Sequence, residues 1–500
     1  MFVRITIGVA ALACLLSACG GGGGGATPPG PGGGGGPTPT PSSSGSPGST
    51  PTPHPSGSPM STPTPHATNT PSSTPTPNTI LPNSTGAVDP IQIIDLKMTP
   101  QDIQSEAPYE DLVWGAFDPS DWLRYGRPNL ILSRYFMPFN DDGVASQHNL
   151  AWFQQNHPDW IMYACDSTGN PMPNNQMWVA RDDGFPDIPL DISNPLVIQY
   201  QMSVEIPYLK ANGYNALAAD NITFANYLGG PNSLLGQNDP GQNYGSDGWY
   251  GCGTFDAQGT FHRRYAGPNG NPAGGAGYAD PNFIADLVNW VQTVEPILHA
   301  NGIKLLVNHP IGTPGDPNEQ AIITHTDALA YEASFTNFDR FHANFDAIIK
   351  YMQYAQSNHV AYMDVNYFCE NNGGPCETDL TPAQKEFAIG SYELGNEGGA
   401  GLFMSPSGGQ KYSYYPEYAQ VKLGTPCGEY FLPAGTSLTY ARQFSNGYVV
   451  VNNNVLGGPT ENVTLPNHAY TDMEGRPVTN PLPVAPLDGY VLSTSGNGCQ

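Results

Sequence analysis

From residue 112 the chain alternates short apolar runs with longer segments whose apolar positions recur at helical spacing, as in a parallel sheet with helical crossovers. The runs 112–116, 129–134, 160–164, 216–220, 303–308, 328–331, 360–365 and 387–391 read as strands, and helical spacing covers 148–156, 195–212, 281–300 and 339–357. Eight strands close a (β/α)8 TIM barrel, an α/β fold in which right-handed crossovers bring every C-terminal strand end to one rim. Past 402–406 the period falls to two. The segments 428–432, 438–444, 447–452, 460–465, 468–472 and 489–493, separated by turn residues, predict a small C-terminal antiparallel β-sandwich domain. The boundaries expected are a barrel over 89–424 and a sandwich over 425–500.

Two of these runs end in an acid. Residues 213–221 read G-Y-N-A-L-A-A-D-N and place Asp220 after the fourth strand; residues 328–335 read A-L-A-Y-E-A-S-F and place Glu332 after the sixth. A lone acid there is as well explained by a loop cap, but two at barrel strand ends are what glycosidic cleavage requires. Asp220 suits the nucleophile, its short side chain held ionised beside Asn221. Glu332 suits the acid, because Tyr331 and Phe335 predict an apolar setting that raises its pKa. Exchanged roles and an inverting pair remain open alternatives to the retaining reading.

Polar support is expected from the other strand ends: Asn308, Asp364, Arg134, Tyr135 and Asp166, each with a plain alternative as a rim cap. A glycine-rich insertion over 222–280 supplies Trp249 and Tyr250. With Trp178 and Tyr227 they are candidate platforms for the CH faces of sugars, packing of the loop being the alternative.

The N-terminus adds a destination. Residues 1–19 combine Arg4, an apolar stretch and the ending L-S-A-C, a secretory signal whose Cys19 fits a bacterial lipobox, so a lipid anchor in a membrane is expected. Gly20 in place of Asp favours the outer membrane or cell surface. Residues 20–88 are almost wholly Gly, Pro, Ser, Thr and Asn without an Asp, Glu, Lys or Arg, a disordered tether. All 43 acidic residues lie beyond it against 16 of the 17 basic ones, a surface that disfavours nucleic acid. Besides Cys14 and Cys19 six cysteines remain, an even number that suits disulfides after export. The pairing expected is Cys369 with Cys376, Cys427 with Cys499, and Cys165 with Cys252. Without a Cys-x-x-Cys and downstream histidines, no metal is expected. With no Gly-rich phosphate loop and no G-x-S-x-G, neither a cofactor nor serine-hydrolase chemistry is expected. The oxygen-rich stretches 140–143 and 181–187 read as solvated turns ahead of calcium loops, and Asp191 as a turn acid before Pro195.

The blocks G-Y-N-A-L-A-A-D-N, K-L-L-V-N-H-P (304–310) and A-L-A-Y-E-A-S-F together resemble strands four, five and six of barrel glycoside hydrolases related to dextranases. They are also similar to bacterial glycosyl hydrolase families known only as hypothetical. S-R-Y-F-M-P (133–138) and L-D-I-S-N-P (190–195) extend the resemblance over most of 112–406. R-Q-F-S-N-G-Y-V-V-V-N (442–452) and Y-T-D-M-E-G (470–475) are similar to the sandwich that closes many such barrels. The resemblance implies Asp220 as nucleophile and Glu332 as acid. Asn215 and Ala216 depart from it, where relatives often read Asp-Gly. A monomeric glycoside hydrolase acting on extracellular carbohydrate is the expectation, with a non-catalytic surface lectin or adhesin on the same scaffold as the alternative.

Overall fold

The computed structural model describes residues 80–82, 85–96, 98–165, 188–224, 250–265, 280–332, 334–336, 341–368, 379–406, 414–454, 457–466 and 468–499, with backbone alone at 164–165, 250–252 and 341–344. Its main sheet has eight parallel strands: β1 (Ile91–Ile93), β2 (Leu112–Ala116), β3 (Ile131–Phe136), β4 (Ala216–Ala219), β5 (Lys304–Asn308), β6 (Ala328–Tyr331), β7 (Ala361–Tyr367) and β8 (Ala400–Ser405). They are hydrogen-bonded in sequence order, and a bridge between Pro90 and Leu402 returns the last strand to the first. The barrel is therefore closed, with every C-terminal end on one rim.

The helices start where local chemistry starts them. Six of those described begin at a Thr, Asp or Asn whose side chain accepts from the first turn, followed by a proline whose missing N–H costs nothing there. They are α1 (Pro100–Glu106), α2 (Pro119–Tyr125), α4 (Pro195–Asn212), α5 (Pro281–His299), α6 (Pro317–Ile323) and α8 (Pro382–Gly395). Two more are α3 (Leu150–Asn156) and α7 (Phe341–Ser357), and a single short turn of helix spans Gly143–Ser146. α4 stops at Gly213, whose φ of 81° is left-handed and suits a residue without Cβ.

Two expected strands are corrected. Residues 160–164 do not enter the barrel: Pro158–Trp160 is a 3-10 turn, and Tyr163–Cys165 joins Tyr250–Phe255 and Phe261–Arg263 in a separate antiparallel sheet. Residues 387–391 lie inside α8, buried on every side because the helix runs between the barrel and the C-terminal sheet; an apolar run of that kind has no periodicity to separate helix from strand. The strands in their place are β1, three residues long, and β8. The omission before β2 and the insertion before β4 offset each other, so Asp220 still follows the fourth strand and Glu332 the sixth.

The C-terminal part carries β9 (Thr439–Phe444), β10 (Gly447–Asn452), β11 (Glu461–Val463), β12 (Tyr470–Thr471), β13 (Leu482–Val484) and β14 (Asp488–Thr494). Antiparallel pairing gives a four-stranded sheet β9-β10-β14-β12 and a two-stranded sheet β11-β13. Residues 428–432 form no strand, only a bridge from Phe431 to Ala441. Tyr448, Val450 and Leu492 pack between these sheets, while Val449, Val451 and Val491 face the other way and join the core that includes α8. Gly390 permits that approach, since a Cβ there would stand 2.8 Å from Val451 Cγ2. Arg442 crosses the same junction, donating from Nη1 to the carbonyls of Glu393, Leu394 and Asn396 at the end of α8. Cys427 and Cys499 are joined by a disulfide with Cα atoms 5.2 Å apart. Among the described residues no helix is long and apolar enough to cross a membrane.

Candidate active site

Side chains alternate between the two faces of a strand, so register decides which reach the barrel interior. Asn308 pairs with Ala330, Ala218 with Leu306, and Tyr135 with Ala218. Tyr135, Asn308 and the positions that continue the parity past β4 and β6, Asp220 and Glu332, therefore share the inner face at one rim. Tyr367, the last residue of β7, faces them.

These groups are bonded to one another. Tyr135 Oη donates to Asp220 Oδ2 at 2.7 Å, and Asn221 Nδ2 reaches the same oxygen at 3.1 Å. Asn221 does so from a left-handed backbone, φ 58°, a conformation that asparagine tolerates. Asn308 Nδ2 donates to Asp220 Oδ1 at 2.8 Å and to Glu332 Oε2 at 3.3 Å, and Tyr367 Oη donates to Glu332 Oε1 at 3.4 Å. One amide group thus bridges the two acids.

Asp220 is 6 % exposed and Glu332 only partly buried, so the environments are the reverse of the sequence expectation. Burial raises the Asp220 carboxyl above its ordinary range, opposed by the bonds from Tyr135, Asn308 and Asn221. A buried carboxylate with three donors is held as an acceptor.

Arg134 and Asp364 are not brought to the site. Arg134 follows the opposite parity from Tyr135 and lies against α4, paired with Asp142 and, at 3.2 Å, with Glu205, its guanidinium 3.9 Å from the Tyr208 ring centroid. Asp364 is in register with Tyr331, hence on the face away from Glu332. It is buried between the strands and the helices, and burial pushes its carboxyl up to about 7 against the influence of Ser334 and Asn366. Asp166, Trp249, Trp178 and Tyr227 lie outside the described residues, as does the side chain of Tyr250. So do Cys19, Cys369 and Cys376 and the side chains of Cys165 and Cys252. Asp142, in the oxygen-rich turn 140–143, caps the short helix Gly143–Ser146, and Asp141 accepts from Ser146 and Tyr200.

Three residues at this rim escape a reading of strand ends alone. Tyr367 escapes because β7 runs two residues longer than its apolar stretch suggests. Trp114 and Phe117 escape because β2 carries an irregular register between Val113 and Ala116 that turns both inward around Tyr135. Among the described residues no group of three or more His, Cys, Asp or Glu side chains is arranged to hold a metal ion.

No family model matches the chain. No curated protein matches it either. Solved structures similar to it include the GH36 alpha-galactosidase AgaA from Geobacillus stearothermophilus in complex with 1-deoxygalactonojirimycin, at 12 % identity and a TM-score of 0.38 over 82 % of this chain and 56 % of that one. A noncanonic maltogenic alpha-amylase, AmyB from Thermotoga neapolitana, is similar at 10 % identity and a TM-score of 0.41 over 81 % of this chain and 98 % of that one. A Paenibacillus cycloisomaltooligosaccharide glucanotransferase complexed with cycloisomaltoheptaose is similar at 8 % identity and a TM-score of 0.34, over 82 % and 54 %. The chain spans little more than half the length of the alpha-galactosidase. Likenesses this distant assign neither substrate nor residues.

Proposed function

We propose that the chain is a glycoside hydrolase acting on poly- or oligosaccharide, with Asp220 as nucleophile and Glu332 as general acid and base. The observation that carries this is the Asn308 bridge. Its bonds of 2.8 and 3.3 Å limit the Asp220 Oδ1 to Glu332 Oε2 separation to their sum, 6.1 Å. With the two amide N–H bonds diverging at ~120°, the separation is about 5 Å. Retaining glycosidases hold their carboxyl groups about 5–5.5 Å apart, and inverting ones about 6.5–9.5 Å.

The division of labour rests on the donors around Asp220 and on the resemblance of the strand-end blocks, not on burial, which raises the Asp220 pKa. Asp220 accepts from Tyr135, Asn221 and Asn308, donors that oppose the effect of its burial and favour the carboxylate, the form that attacks the anomeric carbon to give a glycosyl ester. Glu332, more exposed, gives its proton to the departing oxygen. It then takes one from the water that cleaves the ester, which restores both groups. Asn308 spans the gap and keeps the two acids in register across both steps.

A lectin on this scaffold needs no such pair, which favours the enzyme over the alternative. The L-S-A-C leader and the tether composition support action at the cell surface or outer membrane, anchored through Cys19. The test is a screen of the purified protein against α- and β-glucans, galactosaminans and host glycans, with the anomer first released read by proton NMR. Reducing-sugar release with retained configuration is expected. A flat response across the panel supports the lectin, and an inverted product rejects Asp220 as nucleophile.

A further inference from the structure

The structure assigns a sugar-binding wall to the irregular end of β2, with Phe117 as the stacking platform and the Trp114 Nε1–H as a hydrogen-bond donor to a pyranose hydroxyl. This rests on the glycosidase reading of the same rim. Phe117 is 47 % exposed, although the residue before it, Ala116, is buried. An isolated exposed ring is common and means little alone. Here the ring is stacked on the tyrosine that holds Asp220. Its plane lies within 23° of the Tyr135 ring, with centroids 5.8 Å apart, and Tyr135 Oη is the group bonded to Asp220.

Its backbone is fixed as well. Phe117 N donates at 2.9 Å to Oδ1 of buried Asp95, whose Oδ2 accepts from Trp122 Nε1 at 2.8 Å. A carboxylate just past β1 therefore sets the position of a ring just past β2, which leaves the ring's free face toward solvent at the mouth of the barrel.

The second, independent observation is Trp114. Its indole packs edge-on against Tyr135, 5.8 Å between centroids, and is 3 % exposed, yet its Nε1–H has no hydrogen-bond partner among the described residues. A buried donor is normally satisfied. On the inner face beside the Asp220 anchor, a sugar hydroxyl is the partner that fits. An aromatic face for the apolar side of a pyranose and a donor for its rim are the two contacts that hold a sugar ring in one orientation.

The test uses the full chain and the hydrolysed member of a set of 4-methylumbelliferyl α- and β-glycosides of glucose, galactose and galactosamine. Phe117→Ala should raise KM about tenfold with kcat within about threefold, and Phe117→Tyr should restore KM. Trp114→Phe, which keeps a ring and loses the N–H, should raise KM by about fivefold or more. It should also remove the change in tryptophan fluorescence that the free sugar induces in the parent protein. A KM within twofold of the parent in Phe117→Ala, with turnover intact, overturns the wall and leaves the enzyme reading standing. Sugar-induced fluorescence change that is lost in Phe117→Ala, without turnover of any glycoside by the parent protein, keeps the wall and overturns the catalytic reading. No turnover and no fluorescence response overturns both.

Discussion

Removing one hydroxyl tests the arrangement around Asp220 with little change of shape. In Tyr135→Phe the ring stays between Trp114 and Phe117, while Asp220 Oδ2 loses its donor at 2.7 Å and keeps only Asn221 on that oxygen. A hydrogen bond to a charged group contributes roughly 1.5–3 kcal/mol, and one pKa unit is about 1.4 kcal/mol, so the Asp220 carboxyl should rise by about one to two units. The direction is fixed: burial already raises this group, and the Tyr135 bond is the largest of the influences opposing it. Since the attacking form is the carboxylate, activity requires a pH above that pKa. The acid limb of kcat/KM, which reports the free enzyme, should therefore move to higher pH by about one to two units. The assay is a pH profile of kcat/KM for both proteins on the substrate the screen identifies, with circular dichroism to show that the fold is kept. An acid limb that stays within ~0.3 units of the parent, or moves down, refutes the role given to Tyr135 and the ionised state given to Asp220.

Asp364→Asn tests a buried acid away from the site. Its folded pKa of about 7 lies above the unfolded value, so the native state keeps a proton that the unfolded chain releases, and stability falls as pH rises from about 4 to about 7. The variant should match the parent near pH 4 and exceed it near pH 8 by up to ~4 kcal/mol in urea unfolding; no gain at the higher pH contradicts this. Arg442→Ala removes three bonds to the end of α8 and the pair with Glu397, and should cost about 3 kcal/mol in the same assay, a loss under ~0.5 kcal/mol being inconsistent with its position. Paired serine replacement of Cys427 and Cys499, 72 residues apart, should cost ~4 kcal/mol and abolish the effect of reductant on the melting of the C-terminal sheets. A melting temperature unchanged by the double replacement would contradict it.

Asp220 and Glu332 were legible because each ends an apolar run too short for a helix, and the fold places both on the inner face of the rim. The choice between neighbours was not. Arg134 and Tyr135 are adjacent in one strand, so only one of them can face the barrel interior, and which one depends on pairing with β4 that the sequence does not print. Asp364 fails for the same reason, since its register with Tyr331 turns it away from Glu332. Residues 387–391 read as a strand because the apolar residues of α8 meet the barrel on one side and Val449 and Val451 on the other, which erases the polar face that would reveal its period. Phe117 was invisible because an irregular register in β2, not an apolar pattern, brings it to the rim.

The most direct measurement is reducing-sugar release by Asp220→Asn and Glu332→Gln, made separately in the full chain and compared with the parent on the same substrate. A loss of roughly 10²–10⁴-fold in each, with near-UV circular dichroism unchanged, is the predicted result. Hydrolysis at the parental rate by both variants would contradict it and leave the bridged pair without a catalytic part.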